Sequence, residues 1–453
     1  MDLARQNKMP QKSNFNSHVI ILVLIMVLAA ALRLYMLSLN MDLHRGAFHY
    51  DRKLLKERLH ASDKPFQHPF GAEVANVAYS IVCKKDGLSN PFGDSTGPTG
   101  WVAPGMAVIY ACSFYIFGCY TFKAIVFLFL IALCLSLGMI FLVYRLAFIL
   151  YGNTSVGYLA ALLFALSPHD LRVFKHIDLQ DFNFMIFLFL LVIYVLLLFF
   201  ISRTAKHLIF FALATVGAVL CNPIFIIPSV VSLLFILFRT KHRIKAGFQL
   251  AIFLGIVLLL IFPYILYQYK QIHAWTFVKS NGMFELYLGN VPDFKGVLVN
   301  ELFEKYHPMM NQNEFLQYKA MGEIDYIRSR GNRFLENFDS AAFVKRTAHR
   351  IYNFFFLLPP FTFDKGLMRQ LVFSRGLILV LYVLMYYKKM DSREWLLYLF
   401  ILCYTFPYCL CSIMYRYSIP IVSVEMICAA FIINQTILTL RGMWYRKKFS
   451  TTV

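Results

Sequence analysis

The sequence predicts an all-α polytopic membrane protein: a bundle of about ten transmembrane helices, interfacial helices in the first long loop, and a small helical layer at one face. Three observations carry that prediction. Of 453 residues, 59% are hydrophobic and only 15% charged, a balance that soluble domains of this length do not reach. Apolar runs of roughly spanning length recur from end to end. The net charge of +20 is gathered in short loops between those runs. Such a distribution is the positive-inside bias of membrane proteins and argues against a nucleic-acid partner.

The first run, 18–39, follows a basic head of Arg5, Lys8 and Lys12. It is longer than a signal-peptide core and no small-residue cleavage site closes it, so a retained first span is expected. Further runs lie near 122–144, 155–168, 182–202, 207–222, 223–238, 247–268, 370–387, 394–411 and 418–438. Pro168, Pro223 and Pro407 are expected to break or kink them. The segment 103–119 is also apolar, and charge decides its place. If it does not span and the N-terminus is inside, the loops holding Arg145, Arg203, Arg239 to Lys245, and Lys388 to Arg393 share one side with the basic tail from Arg441. If it does span, every one of those loops turns outward. A half-inserted helix at the outer face is therefore expected, with both termini cytoplasmic.

That topology leaves four segments outside: 40–121, 168–181, 269–369 and 412–418. Three modules follow. Residues 1–268 form a membrane module with the outer loops that hold the candidate chemistry. Residues 269–369 form an outer-face helical region, and 370–453 supply the last spans and a basic tail. No internal repeat is evident, which weighs against an inverted-repeat transporter. The nine cysteines lie mostly in apolar runs without a CxxC pair at metal-ligand spacing. Packing is expected of them, rather than a disulfide or a metal site.

The outer segments hold the residues that could carry chemistry. Glu73 opens an apolar helical pattern. There the positive end of the helix dipole would keep it ionised, as a general base or a cation ligand, or merely as a cap. The turn between two spans crowds Arg172, Lys175, Asp178 and Asp181 with His169 and His176. Ionisable groups so near hydrocarbon are costly and usually functional, although a solvated loop with local ion pairs has the same composition. Asp178 and Asp181, three apart, would share one helical face. The histidines lack a third ligand at metal spacing. Near the C-terminus Arg416 stands between Tyr415 and Tyr417, placed either to fork onto a phosphate or to anchor at the membrane interface. Lys279 and Lys175 are further outer cations able to share a phosphate.

Two longer stretches and one short motif then resemble a known family. The first is Gly87-Leu88-Ser89-Asn90-Pro91-Phe92-Gly93 with Thr96-Gly97-Pro98-Thr99-Gly100-Trp101-Val102-Ala103-Pro104. The second runs from Lys279-Ser280-Asn281-Gly282 through Glu285, Gly289-Asn290, His307-Pro308 and Tyr318 to Gly322-Glu323-Ile324. The third is Tyr415-Arg416-Tyr417-Ser418-Ile419-Pro420. Together they resemble bacterial multi-spanning GT-C glycosyltransferases, the relatives of protein mannosyltransferases and lipid A aminoarabinose transferases. The match runs from about 70 to 420 in order. Gly100, where alanine is common, Gly105, where a bulkier residue is usual, and the basic insert from His44 to His60 depart from the pattern.

The resemblance implies a catalytic first-loop carboxylate, matched by Glu73, and a second acid after the third span, matched by Asp181 with Asp178 beside it. Arg416 matches a basic position of the C-terminal outer motif. Lys175, Lys279, Arg172, Tyr415 and His307 join it as expected substrate contacts. The implied donor is a polyprenyl-phosphate-linked sugar and the implied acceptor a glycan, lipid or protein of the cell envelope, at the outer face of a bacterial inner membrane. No cofactor is required for certain, and a divalent metal is left open because relatives differ. A flippase or transporter for a lipid-linked anion, or an envelope glycan polymerase or ligase, would use similar basic groups.

Overall fold

Apolar side chains with capped ends make the long elements. The structure, a computed structural model, describes residues 15–39, 72–168, 171, 174, 180–240, 242–294, 296–356 and 376–450. In chain order the helices are α1 (Phe15–Ser38), α2 (Ala72–Tyr79), α3 (Pro104–Phe117), α4 (Phe122–Tyr151), α5 (Thr154–Ala165), α6 (Gln180–Ser202), α7 (Ala205–Cys221), α8 (Ile226–Phe238) and α9 (Arg243–Ile272). Then come α10 (Gly282–Leu288), α11 (Asn300–Tyr306), α12 (Gln312–Met321), α13 (Glu323–Glu336), α14 (Ser340–Phe356), α15 (Leu377–Tyr386), α16 (Ser392–Leu410) and α17 (Ile419–Ser450). Side chains close the helix starts: Thr121 accepts from Ala124 N, Asn153 from Ser155 N, and Asp391 builds a capping box with Glu394. Among the described residues there is no strand beyond isolated bridges at Ser89–Pro98 and Phe277–Lys279.

Every run expected to span contains a helix, yet the lengths divide them. Among the described residues, five stretches are long and apolar enough to cross a membrane: Val19–Ser38, Phe122–Tyr151, Asn183–Ser202, Arg243–Ile272 and Arg416–Met443. The expected spans at 155–168, 207–222, 223–238 and 370–387 are shorter apolar helices. Proline and asparagine explain one break: the Asn222 side chain caps Pro223–Phe225, splitting α7 from α8. The segment 103–119 forms α3, 14 residues long. Its rise of about 21 Å is short of the roughly 30 Å hydrocarbon core.

The bundle packs α6 against α4 and α7, α5 against α4 and α17, α9 against α7, and α8 against α16. In lipid, apolar burial alone drives little association, so small residues that permit close approach matter more. Ala160, Ala161 and Ala165 of α5 are fully buried in that role. Arg33 of α1, also fully buried, donates to Ser136 Oγ and to Ala165 O (3.2 Å), tying α1 to α4 and α5.

The two ends of the bundle differ chemically. At one end Arg203 donates to Ile236 O (3.2 Å), Arg239 to Ser392 Oγ, and Arg393 to Ile149 O (2.6 Å). The basic loops thus share one end, as the charge pattern required. At the other, Gly100 O accepts from Ser280 N (2.9 Å) and Leu298 N donates to Ile413 O (2.8 Å), gathering the polar loops. The 30 residues of α4 separate the ends by about 45 Å.

One expectation is overturned. Cys83 and Cys119 form a disulfide that closes the first loop across 36 residues. Cys83 lies in the π-helical turn Ser80–Lys84 that continues α2, and Cys119 lies just past the Gly118 cap of α3, so the bond ties the ends of these two helices together. Loop closure of this length stabilises by about 4 kcal/mol in the chain-entropy account.

The opposed ends generate a labelling pattern. In protein whose free cysteines have been replaced, the exposed positions Ser95→Cys and Asp339→Cys should react with an impermeant thiol reagent from one side of the membrane. His242→Cys should react only from the other. Equal access of all three from one side would contradict the bundle's orientation.

Candidate active site

The polar end is built around Glu323, the first residue of α13. Its carboxylate is buried and accepts from Thr99 Oγ1, Gly100 N (2.7 Å), Ser280 Oγ (2.6 Å) and Tyr318 OH (2.8 Å). Residues from the first loop, the 276–281 segment and α12 are thereby drawn to one point. Glycine at 100 suits this close approach: a Cβ there would come within 2.7 Å of Gln268 Nε2, and that side chain would have to shift. Gly105 likewise lies where a Cβ would meet Cys221 Sγ at 2.7 Å, so both departures from the family pattern are positions of close packing.

The first loop is itself pinned. Asn90 Oδ1 accepts from Thr96 N and Gly97 N (both 3.1 Å), while Asn76 of α2 donates to Pro91 O (3.0 Å). Phe92 packs edge-on against Trp101 (5.0 Å between centroids), His307 (5.8 Å) and Tyr318 (4.8 Å). These rings form the wall behind Glu73.

Glu73 lies in the first turn of α2, and its side chain is 30% exposed. Trp101 Nε1 donates to Glu73 Oε1 at 3.2 Å, and His307 Nε2 approaches the same oxygen at 3.5 Å. Burial pushes the Glu73 carboxyl up to about 7. Lys279 opposes that rise, Glu285 adds to it, and Arg416 and the Trp101 N–H oppose it again. The helix N-terminus therefore does not keep this carboxyl at an ordinary value; desolvation outweighs it. Burial alone pushes His307 down to about 3, so the ring is neutral at physiological pH.

Arg416 stands in the 3-10 turn Tyr415–Ser418 that leads into α17. That turn is fastened to α16, where Tyr417 stacks on Tyr408 (4.5 Å) and its carbonyl accepts from Tyr404 OH (3.2 Å). Arg350 of α14, fully buried, donates to Cys409 O (2.6 Å) and Gly289 O (2.5 Å), joining the end of α16 to α10. Glu285 of α10 accepts from Ser412 Oγ and Asn281 Nδ2 (3.1 Å). The outcome is a carboxylate poised near neutrality, with a lysine and an arginine close enough to act on it.

Of the residues singled out from sequence, Glu73, His307, Lys279 and Arg416 come together here. Arg172, Lys175 and Asp178 lie outside the described residues. Asp181 belongs to α6 and Tyr415 to the 3-10 turn, but their side chains are likewise outside the description. Trp101, Glu285 and Glu323 stood in the resembling motifs without an assigned role. Among the described residues no group of three or more His, Cys, Asp or Glu could hold a metal ion.

No protein-family model matches the chain, and no curated protein does. Solved structures do. The archaeal oligosaccharyltransferase AglB from Archaeoglobus fulgidus, in complex with an inhibitory peptide and a dolichol-phosphate, superposes with a TM-score of 0.53 at 12% identity over 94% of this chain and 51% of its own. The Archaeoglobus fulgidus oligosaccharyltransferase tethered to an acceptor peptide containing the NVT sequon gives 0.51 at 12%, over 95% and 51%. The chain carries a GT-C fold. It spans about half the length of the oligosaccharyltransferases it matches. ArnT from Cupriavidus metallidurans superposes more loosely, with a TM-score of 0.36 at 9% identity over 83% and 76%, and adds nothing to the GT-C assignment.

Within this GT-C fold, Glu323→Ala leaves four donors without their acceptor. It should cost about 2–4 kcal/mol and lower the thermal unfolding midpoint in detergent, with Glu323→Gln intermediate because one amide hydrogen faces a donor. An unchanged midpoint in both variants would remove Glu323 from this structural role.

Proposed function

We propose that the protein is an inverting glycosyltransferase, moving a sugar from a polyprenyl-phosphate donor to a hydroxyl of a cell-envelope acceptor at the outer face of a bacterial inner membrane. The observation that carries this reading is Glu73, a partly exposed carboxylate held near neutrality beside Lys279 and Arg416. A general base works best when its pKa lies near the working pH. The acceptor oxygen would form a bond to the anomeric carbon while its proton passes to Glu73. The bond from that carbon to the phosphate oxygen breaks, and its electron pair leaves with the polyprenyl phosphate. Lys279 and Arg416 would balance the charge that grows on the departing phosphate. AglB's complex with a dolichol-phosphate supports a lipid-phosphate ligand for the same fold.

Two features support the sidedness. The disulfide Cys83–Cys119 lies at the Glu73 end, and disulfides persist on the oxidising side of a membrane. The basic loops lie at the opposite end, where positive charge favours the cytoplasm. Asp181, with Asp178 beside it, remains the proposed second acid, and Arg172, Lys175 and Tyr415 remain proposed substrate contacts. Purified protein incubated with labelled polyprenyl-phosphate sugars should release lipid phosphate. Binding or translocation of the labelled lipid without release would favour a flippase.

The raised Glu73 carboxyl sets the pH dependence. Turnover should rise from about pH 5, pass half-maximum near 7 and level off above 8, because the base must be ionised. Glu73→Gln should lower turnover about 10²–10⁴-fold with normal insertion. The folded protein holds the Glu73 proton from its ordinary 4.5 up to about 7, where the unfolded chain has released it. Its contribution to stability therefore falls as pH rises through that window, and Glu73→Gln should be no less heat-stable than wild type at pH 8. A Glu73→Gln variant within a few-fold of wild-type turnover would leave Glu73 a mere cap.

For Arg416, lysine keeps the charge but loses the fork that can grip phosphate at two points. Arg416→Lys should be substantially impaired and Arg416→Ala more so, each with intact expression. Full activity in both would reassign the phosphate to Lys279 and Lys175.

A further inference from the structure

Trp101 and His307 approach a single oxygen of Glu73 from two directions, and neither has a part in the proposed transfer. The Trp101 indole N–H can only donate. Its ring is 1% exposed and gripped by Phe92 at 5.0 Å and Phe284 at 4.8 Å, so the 3.2 Å bond to Glu73 Oε1 is held by packing. The backbone of Trp101 is held as well, its N donating to Thr99 Oγ1 at 2.9 Å, one bond away from Glu323. His307 Nδ1 accepts from Met309 N at 3.1 Å, which assigns the proton of the neutral ring to Nε2, the atom 3.5 Å from the same Oε1. That approach is longer than a normal hydrogen bond and acts as an oriented dipole. Phe303 at 4.8 Å and Phe284 at 5.4 Å steady the His307 ring.

We infer that Trp101 and His307 are positioning residues that clamp Glu73 Oε1 with two N–H donors and so leave Oε2 as the oxygen that receives the acceptor proton. An oxygen that accepts one hydrogen bond and faces a second N–H dipole is the less basic of the two, so a proton arriving at the carboxylate goes to its partner. The clamp corrects the sequence expectation that His307 contacts substrate, since that ring is buried behind the carboxylate. The effect of the clamp on rate rests on the transferase reading; its effect on the ionisation of Glu73 does not.

Other groups act on Glu73 through space. Lys279 and Glu285 do so from the 279–285 segment, Arg416 and Tyr417 from the 3-10 turn, and Tyr318 from α12. Trp101→Phe alters none of those charges and keeps the ring, while removing the N–H. The full-length protein in lipid nanodiscs would be followed two ways: turnover of labelled polyprenyl-phosphate sugar against pH, and infrared difference spectra of the protonated carboxyl band that Glu73→Gln abolishes. Loss of one donor to a charged acceptor should raise both midpoints by about one pH unit. Turnover at pH 7 should then drop about fivefold, that at pH 9 stay within about twofold, and KM for the donor stay unchanged. His307→Leu should shift the same midpoints upward, and His307→Gln, which restores an N–H at similar reach, should shift them less. Unmoved midpoints in folded Trp101→Phe and His307→Leu would overturn the clamp. A raised KM with an unmoved midpoint in His307→Leu would overturn it too and return His307 to the substrate. If Trp101→Phe does not assemble, the His307 pair decides alone. A shifted infrared band in protein whose wild type releases no lipid phosphate would keep the clamp and end the transferase reading.

Discussion

The polar end of this bundle depends on a buried carboxylate at the start of α13. Glu323 collects donors from three segments far apart in the chain: Thr99 and Gly100, Ser280, and Tyr318. A buried charge is tolerated only when its lone pairs are taken up, and here the four donors do so. The constraint runs outward from that point. Once Thr99 and Gly100 are fixed, Trp101 must point at Glu73, and once Ser280 is fixed, Lys279 must stand nearby. The glycine at 100 is part of the same constraint, because a Cβ there would press on the Gln268 side chain.

Burial and charge then compete at Glu73, and their balance gives the site its character. Desolvation alone would favour a neutral acid, while Lys279 and Arg416 alone would favour a permanently ionised one. With Glu285 adding to the desolvation, the carboxyl settles near neutrality, where it can both take and release a proton. A GT-C fold is suited to such a balance. Its helices bring short, irregular segments against one another at one end of the bundle, where side chains are partly desolvated without being sealed off. The Cys83–Cys119 disulfide and the Arg350 bridge from α16 to α10 keep those segments from drifting apart.

Much of this architecture is legible in the residue order. The apolar runs mark the long helices of the bundle, and the charge pattern alone identifies which loops share an end; the hydrogen bonds of Arg203, Arg239 and Arg393 agree with it. Pro223 marked the break between the runs 207–222 and 223–238, whereas helix length was less legible: α4 continues to Tyr151, beyond the run that ends near 144, because Arg145 is accommodated without ending the helix. The disulfide was read as packing because its cysteines stand next to apolar residues. Their position in the first long loop, which the charge pattern places outside, was the signal that pointed the other way.

The sequence by itself determined the membrane character, the two chemically distinct ends and the candidacy of Glu73, since each follows from local composition or from a motif. Which side chains surround Glu73 was decided by the tertiary structure alone. Trp101, Lys279, His307 and Arg416 come from three distant parts of the chain, and only packing between the first loop, α10 to α13 and the turn before α17 brings them within reach. His307 shows the same limit: the resemblance placed it among substrate contacts, and only the fold shows the ring buried and neutral beside the Glu73 carboxylate. Desolvation, which sets the ionisation of Glu73, is a property of the surroundings and has no signature in the order of residues.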